Sequence, residues 1–303
     1  MMAKKKLFIT GASGFLGWNL CMLLAEHYQI VGTYFRNQFD HDQLEWERIN
    51  LLETKQLKEL VQKVKPDLIV HLAAISNTSF CEQHPALSHH INVYTTVTLA
   101  ESAKELEIPI LYTSTDLVFN GNNPPYDEFN FPYPLMMYGE QKLAAEDALL
   151  DSYDRVLVCR LPLMFGWAAD YHSNFFIDWY QKLKNGEPIH AFIDEYRTPI
   201  SGTVASEWLH KAIQYLLAMD KPTESLLNMG GMERISRYDF AIQMAKVFEL
   251  PDNTIEATSL ADVELAAPRP KDVSMDNQLA RELLNYTPPS IQKQLLSLRK
   301  KIS

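Results

Sequence analysis

Leu7-Phe8-Ile9-Thr10 runs directly into Gly11-Ala12-Ser13-Gly14-Phe15-Leu16-Gly17. The first four residues predict a short buried strand. The apolar pattern from Leu16 to Glu26 predicts a helix, so the three glycines fall in a strand-to-helix turn. Gly11 permits the tight turn, Gly14 lets the backbone approach a pyrophosphate, and Gly17 lets the helix pack on the strand. Exposed N–H groups and the helix dipole then hold the anion. This places Ser13, Phe15 and Leu16 beside the glycines as cofactor-binding residues. The competing reading is a glycine-rich turn without a ligand.

The same rhythm continues outward. Leu7–Thr10, Ile30–Tyr34, Leu68–Leu72, Ile110–Ser114 and Val156–Leu161 are continuous apolar runs, as strands buried on both faces of a parallel sheet are. Helical patterns at Leu16–Glu26, Thr54–Val64, Ala86–Leu106 and Tyr138–Leu150 lie between them. The alternation predicts an α/β fold, a doubly wound parallel sheet with right-handed crossovers. From about Gly166 the rhythm loosens into helical stretches near Asn174–Leu183, Val204–Ala218, Arg237–Phe248 and Asp276–Leu284. The expected division is a dinucleotide-binding domain over 1–165, with a returning segment near 200–225. A smaller mixed lobe for substrate then covers 166–303. Asn120–Met137 is a long proline-bearing loop inside a compact domain, which points to function.

The 303 residues carry 38 acidic and 28 basic side chains, a formal charge of −10, and are 47% hydrophobic. That supports a full-sized core and argues against nucleic acid or anionic membrane as a partner. Lys4–Lys6 before an apolar stretch imitates a signal peptide, but Thr10, Gly11, Ser13, Gly14, Gly17 and Asn19 interrupt it. No window reaches 18 clean apolar residues, so no membrane span is expected. Three widely spaced cysteines (Cys21, Cys81, Cys159) predict no disulfide framework and a cytoplasmic setting. Cys81, Glu82, His84, His89 and His90 lack regular ligand spacing and read as helix-start residues, so no metal site is expected.

The end of the second strand selects the cofactor. Gly32-Thr-Tyr-Phe35-Arg36-Asn37 has no acidic residue for a ribose hydroxyl. Arg36 can instead fork onto a 2′-phosphate, which favours NADP(H) over NAD(H). A plain surface arginine is the alternative. Tyr138-Gly-Glu-Gln-Lys142 places a phenol and an ammonium on one helical face. The ammonium should lower the phenol's pKa and suit Tyr138 to exchange a proton with a carbonyl. Tyr180 and Lys184 repeat the spacing. Only Tyr138 follows a strand ending in Thr113-Ser114-Thr115-Asp116, however, and ligands gather at the carboxyl ends of parallel strands. Ser114 or Thr115 would bond the carbonyl oxygen. Asp116 is a further polar contact or a helix cap.

Several stretches together carry a resemblance. They are Thr10–Gly17, His71-Leu-Ala73-Ala74, Asn92-Val93, Ser114–Gly121, Tyr138–Lys142, Arg160–Gly166 and Arg269-Pro-Lys-Asp-Val-Ser274. With these the chain resembles the extended short-chain dehydrogenases/reductases, and within them the dTDP-4-dehydrorhamnose reductase family. The resemblance implies a Rossmann-type sheet with a smaller C-terminal substrate lobe, and reduction of a 4-keto-6-deoxy sugar nucleotide by NADPH. It implies Thr115, Tyr138 and Lys142 as catalytic residues, with Asn92 supporting the active-site helix. Asn50 and Leu51 would lie near the adenine, Ala73 and Ala74 along the cofactor, and Pro162 and Leu163 beside the nicotinamide. Leu163 replaces an aromatic residue common in rhamnose reductases, so the nucleotide is left open.

The chain is also similar to the regulatory β subunit of methionine adenosyltransferase, an NADP-binding partner protein, at Phe35-Arg36, Asn50-Leu51-Leu52 and Asn123–Tyr126. An epimerase or dehydratase is a further alternative, although Asp116 is followed by Leu117 rather than Glu. The implied partner is a nucleotide sugar, with a homodimer as the open question of assembly. Arg197 and Arg269 are either loop anchors or clamps on a substrate diphosphate. His71 reads as a satisfied core residue. Trp167, Tyr171 and Trp179 read as lobe packing or as base-stacking groups.

Overall fold

The computed structural model describes residues 4–264 and 267–302. The five apolar runs and two further segments, β3 and β7, form seven strands: β1 (Lys6–Thr10), β2 (Gln29–Tyr34), β3 (Leu44–Arg48), β4 (Leu68–His71), β5 (Ile110–Thr115), β6 (Val156–Leu161) and β7 (Leu226–Asn228). They make one sheet in the order β7-β6-β5-β4-β1-β2-β3. Every pairing is parallel. The strand order turns back between β1 and β4, which opens a crevice at their carboxyl ends.

The sheet explains the absence of alternation in its strands. Leu7, Ile9, Leu68, Val70, Leu111, Leu157 and Cys159 enter one core. The residues between them, Phe8, Ile69, Ile110, Tyr112, Val156 and Val158, enter another. The first face is covered by α1 (Phe15–Leu24), α6 (Gly202–Ala218) and α8 (Gln278–Leu284). The second is covered by α2 (Thr54–Val64), α3 (Thr95–Glu105) and α4 (Met137–Ser152). Both faces are dry, so both sets of side chains are apolar.

A separate cluster is built from α5 (Phe175–Lys184), α7 (Arg237–Phe248) and α9 (Ile291–Arg299), around Phe165, Phe176, Phe240, Met244 and Leu295. Asn174, Ser201, Ser236 and Ser290 cap the N-termini of α5, α6, α7 and α9 with their side-chain oxygens.

Several elements differ from the sequence expectation, among them β7, which none of the five apolar runs covers. β3 was not anticipated. It is an edge strand in which only Leu44 and Trp46 are apolar, because one of its faces meets solvent. α9 was also not anticipated. The helix expected over 86–106 is broken into Pro85–His89, a π-helical turn His90–Tyr94, and α3. The wide turn carries the buried Asn92. Among the described residues no helix is long and apolar enough to cross a membrane, and no three metal-ligating side chains cluster. The three cysteines are free and buried.

Candidate active site

The glycine turn is held by close contacts. Gly11 has φ +68°, and a Cβ there would lie 2.8 Å from the backbone of Ala73 on the loop after β4. A Cβ on Gly17 would overlap the Gly11 carbonyl, so α1 could not seat against the turn. The Gly14 N–H closes the turn on the Gly11 carbonyl at 2.9 Å. Gly14 is the N-cap of α1, no side chain caps the helix, and its first turn has no acidic residue. The orphan amides at this end therefore suit a phosphate.

A cavity of about 750 Å³ runs along this edge of the sheet. Gly11, Ser13, Gly14, Phe15, Leu16 and Gly17 line it at the turn. Phe35, Arg36, Asn50 and Leu51 line it at one end, and Ala73, Ala74, Ser114, Thr115, Tyr138, Lys142 and Pro162 toward the other. These residues fit a dinucleotide: a turn so tight that a Cβ at Gly11 or Gly17 would collide with neighbouring backbone, an uncapped helix end, and a cavity of ligand size. Arg36 is exposed and forms no ion pair among the described residues; its guanidinium lies 5.9 Å from the Phe35 ring.

The polar end of the cavity is built by β5 and α4. The start of α4 is pinned by the Met137 N–H donating to Glu82 at 2.8 Å. Asn92 does not line the cavity. Its side chain accepts from Ile75 N–H at 2.8 Å and donates to Gln141 at 2.9 Å, tying the loop after β4 to α4. The Ser114 hydroxyl is buried and has no partner among the described residues. Thr115 donates to Asp116 at 3.2 Å and caps the short turn Asp116–Val118. The cap is therefore Thr115, not Asp116.

Lys142 is buried and makes no hydrogen bond among the described residues; its ammonium sits 4.1 Å from the centre of the Tyr112 ring. Burial pushes its pKa down to about 7, and only Glu146, one turn along α4, opposes this. Tyr138 departs from the expectation. Its pKa is raised, first by burial and then by the charges of Asp116 and Cys81, against a hydrogen bond from Thr115. Lys142 is not among the groups that lower it. Tyr138 is consequently a neutral phenol that keeps its proton. Glu146 in turn forms a buried ion pair with Arg160 of β6, at 2.6 Å.

Beyond Thr115 lies a buried charge network that the sequence reading missed as a unit. Asp116 faces Arg197 at 3.7 Å, Arg197 pairs with Glu195 at 3.0 Å, and Glu195 also takes Arg269 at 3.3 Å. Burial raises the Asp116 pKa to about 6, against Arg197. Arg197 was open as a loop anchor or a substrate clamp, and it is found as an anchor: its guanidinium is buried and engaged by Asp116, Glu195 and the carbonyls of Tyr196 and Pro270. Arg269 is half-exposed and paired with Glu195. Arg237, also missed, is buried over the Phe175 ring at 3.7 Å.

Leu163 is a correction. Leu161, Pro162 and Met164 line the cavity and Leu163 does not. Tyr180 lies off the cavity, packed on Trp167 and Phe248. His71 is satisfied by Thr10 at 2.6 Å and Thr96 at 2.9 Å, and burial pushes its pKa down to about 3. Trp167 and Trp179 are packing residues of the second cluster. Tyr171 instead bonds the Ser13 carbonyl.

Comparison with known proteins agrees with this geometry. The family model of the RmlD substrate binding domain matches residues 5–303. The chain is 29% identical over 279 residues to methionine adenosyltransferase 2 subunit beta of Xenopus laevis, covering 90% of this chain and 80% of that protein. It is 27% identical over 296 residues to the "Probable low-salt glycan biosynthesis reductase" of Haloferax volcanii, covering 96% of each. The crystal structure of dTDP-4-dehydrorhamnose reductase from Bacillus anthracis in complex with NADP superposes with a TM-score of 0.85 at 25% identity, covering 98% of this chain and 99% of that one. The chain belongs to the RmlD substrate binding domain family, within the extended short-chain dehydrogenase/reductase fold.

Proposed function

We propose that the protein is an NADPH-dependent reductase of a 4-keto-6-deoxy sugar nucleotide. One observation carries this reading: Ser114, Thr115, Tyr138 and Lys142 converge on the cavity that the glycine turn opens onto. A bound nicotinamide dinucleotide would supply the hydride. The chain's own residues do the rest. The amides of the turn hold the diphosphate, and Arg36 meets a 2′-phosphate. Ser114 and Thr115 orient the ketone oxygen. Tyr138, a neutral phenol, donates its proton to that oxygen as the alcohol forms. Lys142 holds the ribose and stabilises the phenolate left behind. Residues 1–165, with the returning elements α6, β7 and α8, form the cofactor domain, and the rest of 166–303 is mainly the substrate lobe, with Arg269 at the sugar-nucleotide side.

The test is oxidation of NADPH followed at 340 nm with a panel of 4-keto-6-deoxy sugar nucleotides, NADH running in parallel. Turnover with one donor supports the reading and names its nucleotide. Tight NADPH binding without turnover of any donor overturns it in favour of a second reading, a non-catalytic NADP-binding regulatory subunit. That reading draws on the methionine adenosyltransferase β subunits among the relatives.

A further inference from the structure

The glycine turn is held from the far side by two side chains that its motif does not contain. The Tyr171 hydroxyl donates to the Ser13 carbonyl at 3.1 Å, and His172 Nε2 lies 2.6 Å from the same oxygen. A carbonyl only accepts, so Nε2 carries the hydrogen. The two residues lie at the tip of the segment 166–174, and its base is fastened independently. Asn174 donates to the Gly166 carbonyl at 3.0 Å, Trp167 donates to Leu298 at 3.0 Å, and Asn19 of α1 donates to the Trp167 carbonyl at 3.2 Å. His172 N–H closes a turn on Ala169 at 2.8 Å. The segment is thus a strap rooted in the second cluster and ending on the phosphate-binding turn.

The contact falls on a critical peptide. The Ser13 carbonyl belongs to the same planar group as the Gly14 N–H, and that N–H makes the bond to Gly11 that closes the turn. One peptide plane is therefore fixed at both ends, from inside the turn and from the strap. The next amides along the chain, those of Phe15 and Leu16, point from the open end of α1. Their direction follows the orientation of that plane.

We propose that Tyr171 and His172 clasp the Ser13 carbonyl so as to preorganise the diphosphate-binding turn and slow release of the dinucleotide. The inference rests on the cavity being a nicotinamide dinucleotide site. Tyr171 and His172 are positioning residues: they touch the turn, not the ligand. Ordering the turn before binding removes part of the cost of binding and appears in the off-rate.

The test is stopped-flow release of NADPH from the full chain, chased with excess NADP⁺ and followed by nucleotide fluorescence. Tyr171→Phe and His172→Ala should each speed release roughly fivefold, the factor that one net hydrogen bond is worth, and the double variant about thirtyfold. Asp170→Ala and Ser173→Ala, in the same exposed tip, should leave the rate unchanged. A double variant with the native melting temperature and the native release rate overturns the clasp. Equal acceleration by the Asp170 and Ser173 variants overturns it as well, since the tip as a whole would then be responsible. If the double variant melts early, Tyr171→Phe decides alone, because it removes a single hydroxyl from a half-exposed ring. A native chain that binds neither NADPH nor NADH refutes the dinucleotide reading itself, a result distinct from tight binding with unchanged release.

Discussion

The two sides of the cavity are built on different principles. On the cofactor side the backbone binds. Glycines clear space, amides point from the end of α1, and the elements involved lie within a few residues of one another. On the substrate side the side chains bind one another. Asp116, Glu195, Arg197 and Arg269 come from three distant parts of the chain to form one buried charge network. A backbone site must be written as a local spacing of glycines. A charge network can be assembled from any residues the fold brings together, so it leaves no local signature. Tyr138 and Lys142 stand between the two regimes, as a side-chain pair whose spacing is still fixed by one helix.

The contrast can be broken or sharpened by substitution. The largest effect is expected at the junction. Tyr138→Phe should reduce turnover by about three to four orders of magnitude, the upper part of the range for a lost proton donor, and leave NADPH affinity within a few fold. Steady-state kinetics beside a binding titration separates the two, and unchanged turnover would remove Tyr138 from the mechanism. Next is the ion pair hidden beneath the cofactor side. Glu146→Gln leaves Arg160 buried without its counter-charge and should cost about 3–5 kcal/mol of stability in denaturant unfolding. A loss below about 1 kcal/mol would mean that the pair is solvated in solution.

Arg36→Ala should weaken NADPH relative to NADH by about 1–3 kcal/mol, the range for a hydrogen bond to a charged group. Equal weakening of both would return Arg36 to the surface. Smallest is a pH effect in the charge network. Asp116 holds its proton up to about pH 6 in the folded chain, against an ordinary value of 3.8. Between those values the folded state binds more protons than the unfolded one, so its contribution to stability falls as pH rises. The native chain should therefore lose about 1–2 kcal/mol relative to Asp116→Asn from pH 4 to pH 7. A difference that is flat with pH would show Asp116 ionised throughout.

What was legible in the sequence follows the same division. The turn at Gly11–Gly17, the strands and the choice of Tyr138 over Tyr180 rested on short-range patterns, and the structure brings those residues to one cavity. β3 was hidden because an edge strand buries one face, and its only signal was the alternation of Leu44 and Trp46. The direction of the Tyr138 shift was misjudged because it depends on burial, and the same burial pushes the pKa of the neighbouring Lys142 down. For Arg197 the sequence left anchor and clamp both open, and only its fold partners show it to be engaged as an anchor.

The central claim is hydride delivery to a ketone beside Tyr138, and isotope transfer tests it most directly. The chain would be supplied with NADPH carrying deuterium at the transferable position and with a 4-keto-6-deoxy sugar nucleotide, and the product examined by mass spectrometry and NMR. The account predicts one deuterium on the new carbinol carbon, and product formed about three to four orders of magnitude more slowly when Tyr138→Phe replaces the native chain. A product without deuterium, or labelled product formed at the native rate by the Tyr138→Phe variant, would contradict it.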